Sequence, residues 1–577
     1  MPAGPRSDAT RLRSAVRTAG LWGAPLIFLA LFYALPMVQV LRLSLARGTS
    51  LAAPFVEALG SPGVRGVIGF TFLQASISTL LTLLLGLPGA YLLARYSFRG
   101  RSVLLALTSV PFVMPTLVVG AAFQALLGPR GWVNLALMAA LGLSQPPIAF
   151  LNSLGAILLA HVFYNTSIVL RMVGDFWSHL DPRIEAAART LGASRWQVLR
   201  RVTLPLLMPA IAAASLLVFL FDFTSFGVIL ILGGPHFATL EVEIYNQTVG
   251  LFNLPLAAAL SILQLAFTLL LTIAYTRLAA RASRPLSLRP RRLTQQPLVG
   301  VRRRLAAGLM VGVLLALLVT PLVALAARSV TRLDPERGQA SPVARGLTDD
   351  YYRELWVNRR ESVFYVPPST AVGVSLAYAA ATVVLSLSLG LPAAWALAYR
   401  PASTVSRLFD PLLLLPLGTS AVTLGLGFIV ALNRPPLDLR ASPLLVPLAH
   451  TLVALPFVVR SLTPSLRSIR PRLRQAAAVL GAGPAQVVAR IDLPLVGRAL
   501  LVAAAFAFSI SLGEFGATAL IARPEFPTIP LMIYRFLSLP GALNYGQALA
   551  LSTILMVVCA AAMLGIERLR IADVGEF

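Results

Sequence analysis

The sequence predicts an all-α integral membrane protein of about twelve transmembrane helices, arranged as two homologous six-helix halves. Three observations carry that expectation. Of 577 residues, 57% are hydrophobic and only 12% charged, against about 25% charged in ordinary globular domains. Mean hydropathy is +0.80, and apolar runs of about 20 residues, the length that crosses a bilayer, recur along the whole chain. The chain also repeats itself near its midpoint.

Twelve apolar runs are readable in order, at 21–45, 67–94, 103–127, 152–173, 204–232, 254–276, 305–327, 371–399, 408–432, 443–466, 494–522 and 545–566. The first follows Arg6, Arg11, Arg13 and Arg17, as a signal-peptide core would, but its length without a small-residue cleavage site predicts a retained helix. The connections then sort by charge. The N-terminal tail, the loop with Arg95, Arg99 and Arg101, the loop with Arg183, Arg189, Arg195, Arg200 and Arg201, and the stretch 277–304 are rich in Arg, whereas 233–253 has Glu241 and Glu243 and no Arg. Because cytoplasmic loops hold the basic excess, both termini are expected in the cytoplasm. The connection 328–370 mixes Arg332, Arg337, Arg353, Arg359 and Arg360 with Asp334, Glu336, Asp349, Asp350 and Glu354, and long loops cross regardless of charge.

The 48 basic residues outnumber 22 acidic ones for a net charge of +26, and every basic residue is Arg. Without Lys the chain cannot supply the phosphate-binding Lys of a P-loop, so any ATP-driven work must come from a partner. The Arg residues lie between apolar runs rather than on a soluble domain with interleaved aromatics, which excludes a nucleic-acid stripe. Cys559 stands alone, and His161, His179, His236 and His450 include no pair at metal-ligand spacing on a helix. No metal site, bound cofactor or covalent catalysis is expected of this chain.

The repeat is the most informative feature. Leu191-Gly192-Ala193 recurs as Leu480-Gly481-Ala482, 289 residues later. The same offset pairs His161 with His450, Arg171 with Arg460, Leu204-Pro205-Leu206 with Leu493-Pro494-Leu495, and Phe226-Gly227 with Phe515-Gly516. Upstream, Gly86-Leu87-Pro88 matches Gly390-Leu391-Pro392 at an offset of 304, so the first half carries additional residues, expected around 128–150. This divides the chain into a first transmembrane half, 1–276, a basic cytoplasmic linker, 277–304, and a second half, 305–577. The linker holds nine Arg and no acid and reads as a solvated connector near anionic headgroups. Halves of equal orientation are related by an axis along the membrane normal.

After the fourth run of each half comes a cytoplasmic segment of helix formers ending in a glycine, then a short helix, then Leu-Pro. Glycine permits the sharp turn and proline suits the first turn of the next helix. The product is a helix-turn-helix foot, present twice and suited to a two-fold symmetric partner.

These residues resemble the EAA loop, E-A-A-x-x-x-G with Leu-Pro following, of the membrane permeases of ABC importers. Gly192 to Pro205 and Gly481 to Pro494 share one spacing of 13. The resemblance implies that Glu185, Ala187, Ala188, Gly192, Leu204 and Pro205, with Gln475, Ala476, Ala477, Gly481, Leu493 and Pro494, couple to a cytoplasmic ATPase dimer that uses the ATP. It further implies an extracytoplasmic solute-binding protein as second partner and the inner membrane as location. Aligned on glycine, Ala186 and Gln475 occupy the Glu position and Glu185 is displaced by one. The fused form resembles the thiamine and ferric-iron permeases, through Leu158 to Asn165, Leu232-Gly233-Gly234-Pro235 and Ser511-Leu512-Gly513-Glu514-Phe515-Gly516. Thiamine is the first expected cargo and ferric iron the alternative. A secondary transporter would leave the paired feet unexplained, and a membrane enzyme would need convergent nucleophiles that are sparse here.

Asp222 and Glu514 fall inside apolar runs, where a carboxylate is costly and by default functional. They lie three residues apart on corresponding helices once the repeat is applied. Either they face a central path suited to a cationic solute, with Asn165 beside them, or they pair locally with His161 and His450. Gln74 and Gln264 read as interhelical hydrogen-bonding residues or as lining of the same path.

Overall fold

The computed structural model describes residues 21–45, 53–108, 110–282, 294–332, 346–358, 366–399, 412–413, 415–433, 435 and 437–571. Arg6, Arg11, Arg13 and Arg17, the linker's Arg284, Arg289, Arg291 and Arg292, and Asp334, Glu336 and Arg337 lie outside them. Among the described residues, nine helices are long and apolar enough to cross a membrane: Leu21–Leu45, Pro62–Arg95, Leu154–His179, Arg195–Phe223, Leu254–Leu278, Val301–Arg328, Thr370–Tyr399, Leu445–Ser468 and Ala542–Gly565. Pro484–Leu495 and Gly497–Gly513, bent by 71°, make a tenth if counted as one span.

Four runs expected as single spans are broken instead, 103–127, 204–232, 408–432 and 494–522. The run 103–127 becomes Arg101–Leu107, Val110–Val113 and Thr116–Leu127. Pro111 and Pro115 fall at its joints, and Pro115 itself adopts ψ 140; proline offers no N–H and turns its predecessor out of the helical region. Within 408–432, the described residues include the turn Pro416–Gly418 and the helix Ala421–Ala431. Ser420 caps that helix by accepting from the Thr423 N–H at 3.1 Å.

The chain divides into two compact units that do not follow the sequence repeat. One comprises the described parts of Met1–Arg47, Arg360–Thr528 and Ala561–Phe577. Inside it the first helix packs on Ala421–Ala431. A Cβ on Gly427 would come within 2.9 Å of Pro36, and Tyr33 and Thr419 share a hydrogen bond of 2.8 Å between their hydroxyls. The other unit comprises Gly48–Arg359 and Ile529–Ala560. There Thr320–Arg328, from the first helix of the second repeat, packs on Thr116–Leu127 of the first repeat. Each repeat thus completes its fold with the leading helix of the other.

The linker is not wholly a solvated connector. Gln296 and Pro297 pair in parallel with Tyr96 and Ser97, and Thr294 donates to the Ser178 carbonyl at 2.5 Å.

Within each unit the same two helices form the closest pair, Pro62–Arg95 on Leu154–His179 and Thr370–Tyr399 on Leu445–Ser468. The contact is built on repeat-related glycines. A Cβ on Gly86 would stand 2.7 Å from Val169, and one on Gly390 2.6 Å from Val458. Lipid supplies no hydrophobic drive between helices, so close van der Waals approach holds them. Gly86→Leu and Gly390→Leu are each expected to destabilise the purified protein by about 1–3 kcal/mol. Gly66→Leu and Gly373→Leu, on the same helices with open space around the site, should leave the melting temperature unchanged or raised; equal losses at all four positions would refute this packing argument.

Candidate functional site

The two feet are local structures that their sequences encode closely. In the first, Asp181 caps the helix Pro182–Thr190 by accepting from the Arg183 N–H at 3.0 Å, with Pro182 at the position where a missing N–H costs nothing. The helix ends where Gly192 takes φ +87. Its N–H donates to the Arg189 carbonyl at 3.0 Å, and the Ala193 N–H donates to Ala188 at 3.1 Å. This left-handed cap satisfies carbonyls the helix leaves open. Ser194 and Gln197 then form a capping box that starts Arg195–Val198.

The second foot repeats the glycine turn and the Gln half of the capping box, though its first helix starts at Arg470 without a side-chain cap. The helix Pro471–Val479 ends at Gly481, φ +83, with Gly481 donating to Ala478 at 3.1 Å and Ala482 to Ala477 at 2.9 Å. Gln486 accepts from the Gly483 N–H at 3.0 Å and opens Pro484–Val487. A Cβ would meet nothing within 4 Å at Gly192 or Gly481, so both glycines are there for their dihedral angle rather than for room.

Neither nine-residue foot helix buries a single residue. Leu191 is 89% exposed, Trp196 67%, and Val479 and Leu480 87% each. Ala187 and Gln475, Ala476, Pro205 and Pro494 are exposed as well, and Ala188, Ala477 and Leu493 are half-buried. An isolated helix of this length is unstable in water, and large apolar side chains standing clear at its end mark a contact surface.

What holds each foot to its bundle is an ion pair that sequence reasoning missed. Glu185 points inward: its carboxylate accepts from Arg95 at 2.5 Å and from the Thr203 hydroxyl at 3.0 Å. Arg95 also donates to the Leu180 carbonyl at 3.3 Å. The position equivalent to Glu185 in the second foot is Arg474, and that equivalent to Thr203 is Asp492. Arg474 reaches Asp492 at 2.8 Å through Nε and 2.7 Å through Nη2. Its guanidinium lies 3.6 Å from the ring centre of Tyr399, the counterpart of Arg95. Both ties anchor the same position of the foot helix, acidic in one foot and basic in the other, but the opposite charge comes from Arg95 in the first and from Asp492, the counterpart of Thr203, in the second. The signal was present in the repeat alignment, where Glu185 stands against Arg474 and Thr203 against Asp492.

The intramembrane acids form a second repeated arrangement. Asn165 donates to Asp222 Oδ1 at 2.6 Å, and His161 Nδ1 lies 3.4 Å from the same oxygen. The other ring nitrogen, Nε2, meets the Ser225 hydroxyl at 2.9 Å, while Ser78 lies 3.1 Å from Nδ1. In the second repeat His450 Nδ1 meets Ser511 at 2.8 Å, and Nε2 meets Thr518 at 2.9 Å and Glu514 at 3.2 Å. Ser511 corresponds to Asp222 and Glu514 to Ser225. Each histidine therefore sits between a carboxylate and a serine hydroxyl at equivalent positions, the two exchanged between its ring nitrogens, with Ser78 or Thr518 as a further hydroxyl on the carboxylate side. All four ionisable side chains are at most 5% exposed.

Both arrangements lie where a helix stops inside an apolar run. The run 204–232 breaks after Phe223 and resumes at Gly227–Leu232, and 494–522 breaks after Gly513 and resumes at Thr518–Ile521. Gln74 donates to the Asp222 carbonyl at 2.8 Å and Thr239 to the Ser225 carbonyl at 3.3 Å. Glu514 accepts from the Ala517 N–H at 2.8 Å and the Thr518 N–H at 3.1 Å. Gln264 lies elsewhere, donating to Glu241 at 2.9 Å.

If the ion pairs hold the feet, Glu185→Gln and Asp492→Asn should each release one foot. Losing a hydrogen bond to a charged group costs about 1.5–3 kcal/mol, so amide exchange over 182–190 or 471–479 respectively should accelerate by about tenfold or more, the other foot staying as it was. Unchanged exchange in both variants would rule the ties out as the anchors.

The profile described as binding-protein-dependent transport system inner membrane component matches residues 86–284. The thiamine transport system permease protein ThiP of Brucella abortus (strain 2308) is 30% identical over 509 residues, 87% of each chain. Its Escherichia coli counterpart is 27% identical over 504 residues, 87% of this chain and 88% of its own. The sulfate transport system permease protein CysT of Escherichia coli is 32% identical over 264 residues, 45% of this chain and 92% of its own. With spans, feet and broken helices repeated in both halves, and similarity to fused permeases running through most of its length, the chain belongs to the family of inner-membrane components of binding-protein-dependent transport systems.

Proposed function

We infer that the chain forms the whole translocation pathway of an ATP-driven importer for thiamine, with both termini cytoplasmic. The observation that carries this reading is the similarity to thiamine permeases over 87% of both chains. The chain makes and breaks no covalent bond. A cytoplasmic ATPase dimer grips the exposed faces beside Gly192 and Gly481. A solute-binding protein delivers cargo on the opposite side, where Gly233-Gly234-Pro235-His236 and Arg523-Pro524-Glu525 occupy corresponding places in the repeat. Arg523 braces the second of these through the Ala441 carbonyl at 2.6 Å, and the Glu525 carboxyl is held below its usual range by its own N–H and by Arg523.

Closing of the ATPase would draw the feet together, and each tie, Glu185 with Arg95 and Thr203, Arg474 with Asp492, would pass that movement into its helices. Asp222, Glu514, His161, His450 and Asn165 are read here as the groups that hold two broken helices together; any contact with cargo would reach them only through the breaks. Ferric iron remains the alternative cargo.

The test is uptake of labelled thiamine and, separately, labelled ferric iron at nanomolar concentration, with and without the gene. Loss of thiamine uptake alone is the expected outcome. Loss of iron uptake alone would assign the chain to iron, and loss of neither would remove both cargoes.

The coupling role is tested by substitution at the turns. Gly192→Trp and Gly481→Trp force a side chain into a left-handed conformation that costs about 1–2 kcal/mol and place bulk on the docking face. Each should abolish co-purification of the ATPase while membrane insertion persists. Gly192→Asn, which tolerates that conformation, should retain it; full co-purification with both Trp variants would count against docking at the feet.

A further inference from the structure

The feet are duplicated, but the clefts beside them are not. Beside the first foot lies a cleft of about 780 Å³ whose walls carry Arg189, Arg195, Arg200 and Arg303. Its only acid is Glu185, already taken by Arg95. Arg195, Arg200 and Arg303 have no carboxylate partner among the described residues. The corresponding cleft beside the second foot, about 510 Å³, is lined by Leu391, Pro392, Trp395 and Val488, and its one ionisable group among the described residues, Asp492, is neutralised by Arg474. Across the repeat Arg195 stands against Pro484, Trp196 against Ala485 and Arg200 against Ala489. A cleft serving only the packing of the foot has no need of these arginines, because among the described residues its twin is lined without them.

The position of the cleft selects what would fill it. Its lining includes Tyr91 and Arg95 at the end of the span Pro62–Arg95, and Trp177 at the end of Leu154–His179, so it opens where apolar helices meet water. Tyr and Trp gather at that level of a bilayer, and basic pockets there attract anionic headgroups. An apolar track leads away from it along one helix face: Leu80, 58% exposed, Leu84, 63%, then Leu87 and Tyr91, 42%, at helical spacing.

We propose that this cleft binds the phosphate headgroup of an anionic membrane lipid, with an acyl chain lying on the Leu80, Leu84, Leu87 and Tyr91 track. The arginines come from three parts of the chain. Arg189 is on the foot helix, Arg195 and Arg200 lie beyond its turn, and Arg303 follows the linker strand that pairs with Tyr96 and Ser97. A bound headgroup therefore ties foot, bundle and linker together in the first half only, and the second half relies on Arg474, Asp492 and Tyr399. Nothing in this depends on the cargo or on the ATPase.

The full-length protein in a neutral detergent is titrated with cardiolipin, phosphatidylglycerol or phosphatidylcholine while its melting temperature is followed, and lipid retention is counted by native mass spectrometry. The anionic lipids should raise the melting temperature and phosphatidylcholine should not. Arg195→Gln, Arg200→Gln and Arg303→Gln combined should weaken the apparent affinity by roughly a hundredfold, three basic contacts being lost. The same three positions changed to Lys keep the charge and should keep most of the binding, which separates charge from folding. Leu84→Asn should weaken lipid binding with every arginine in place, and Arg65→Gln, at the far end of the same helix, should have no effect. An unchanged anionic-lipid shift in the Gln variant overturns the proposal. So does an equal shift with phosphatidylcholine, or its reproduction by inorganic phosphate alone, which would make the cleft a site for soluble anions.

Discussion

A helix that stops inside a bilayer leaves amide and carbonyl groups in a medium that cannot hydrogen-bond them, and each such group costs several kcal/mol. The two breaks after Phe223 and Gly513 are tolerable only because neighbouring side chains close on them. At the first, Gln74 and Thr239 cover carbonyls; at the second, Glu514 takes two amides. His161 and His450, each from the preceding span, brace the carboxylate and hydroxyl of their break. The positions of the surrounding helices follow from this, since the histidine can reach the break only if the spans approach closely. The helix that carries each histidine is in turn seated on its other neighbour through Gly86 against Val169 and Gly390 against Val458.

The repeat keeps joints while exchanging their chemistry. In the broken helices, carboxylate and hydroxyl trade places around a retained histidine. In the feet, around a retained glycine turn, the foot helix supplies the acid Glu185 to Arg95 in one copy and the base Arg474 to Asp492 in the other. Both exchanges conserve what the site needs, one charge-assisted hydrogen bond spanning two elements, and leave open which side supplies the charge. Duplication followed by separate change of each copy explains why a foot can be symmetric in backbone and asymmetric in surface. The arginine-lined cleft, present in one half and apolar in the other, belongs to the same pattern.

Much of the chain was legible beforehand. Low charge and long apolar runs leave no fold but membrane helices. The offset of 289 located both feet, because a left-handed turn needs glycine and the helix after it favours Leu-Pro at a set distance. The direction of the Glu185 side chain was not legible, since the family pattern names a glutamate but not which way it turns. Its side chain turns inward because Arg95 and Thr203 are within reach on that side, and neither is near it in sequence. The count of twelve unbroken spans was also too simple: hydropathy averages over a window and does not register that Pro111 and Pro115 divide one run or that Asp222 and Glu514 sit at breaks in two others.

By itself, then, the sequence determined the class of fold, the doubling and the two turning points, all of which depend on composition or on residues a few positions apart. Tertiary structure decided the rest: that each leading helix completes the unit built from the other repeat, that the linker is pinned beside Tyr96, and that separate arginines converge on one cleft. Periodicity records which face of a helix is buried but not which helix buries it. That choice depends on shape and pairing among residues hundreds of positions apart.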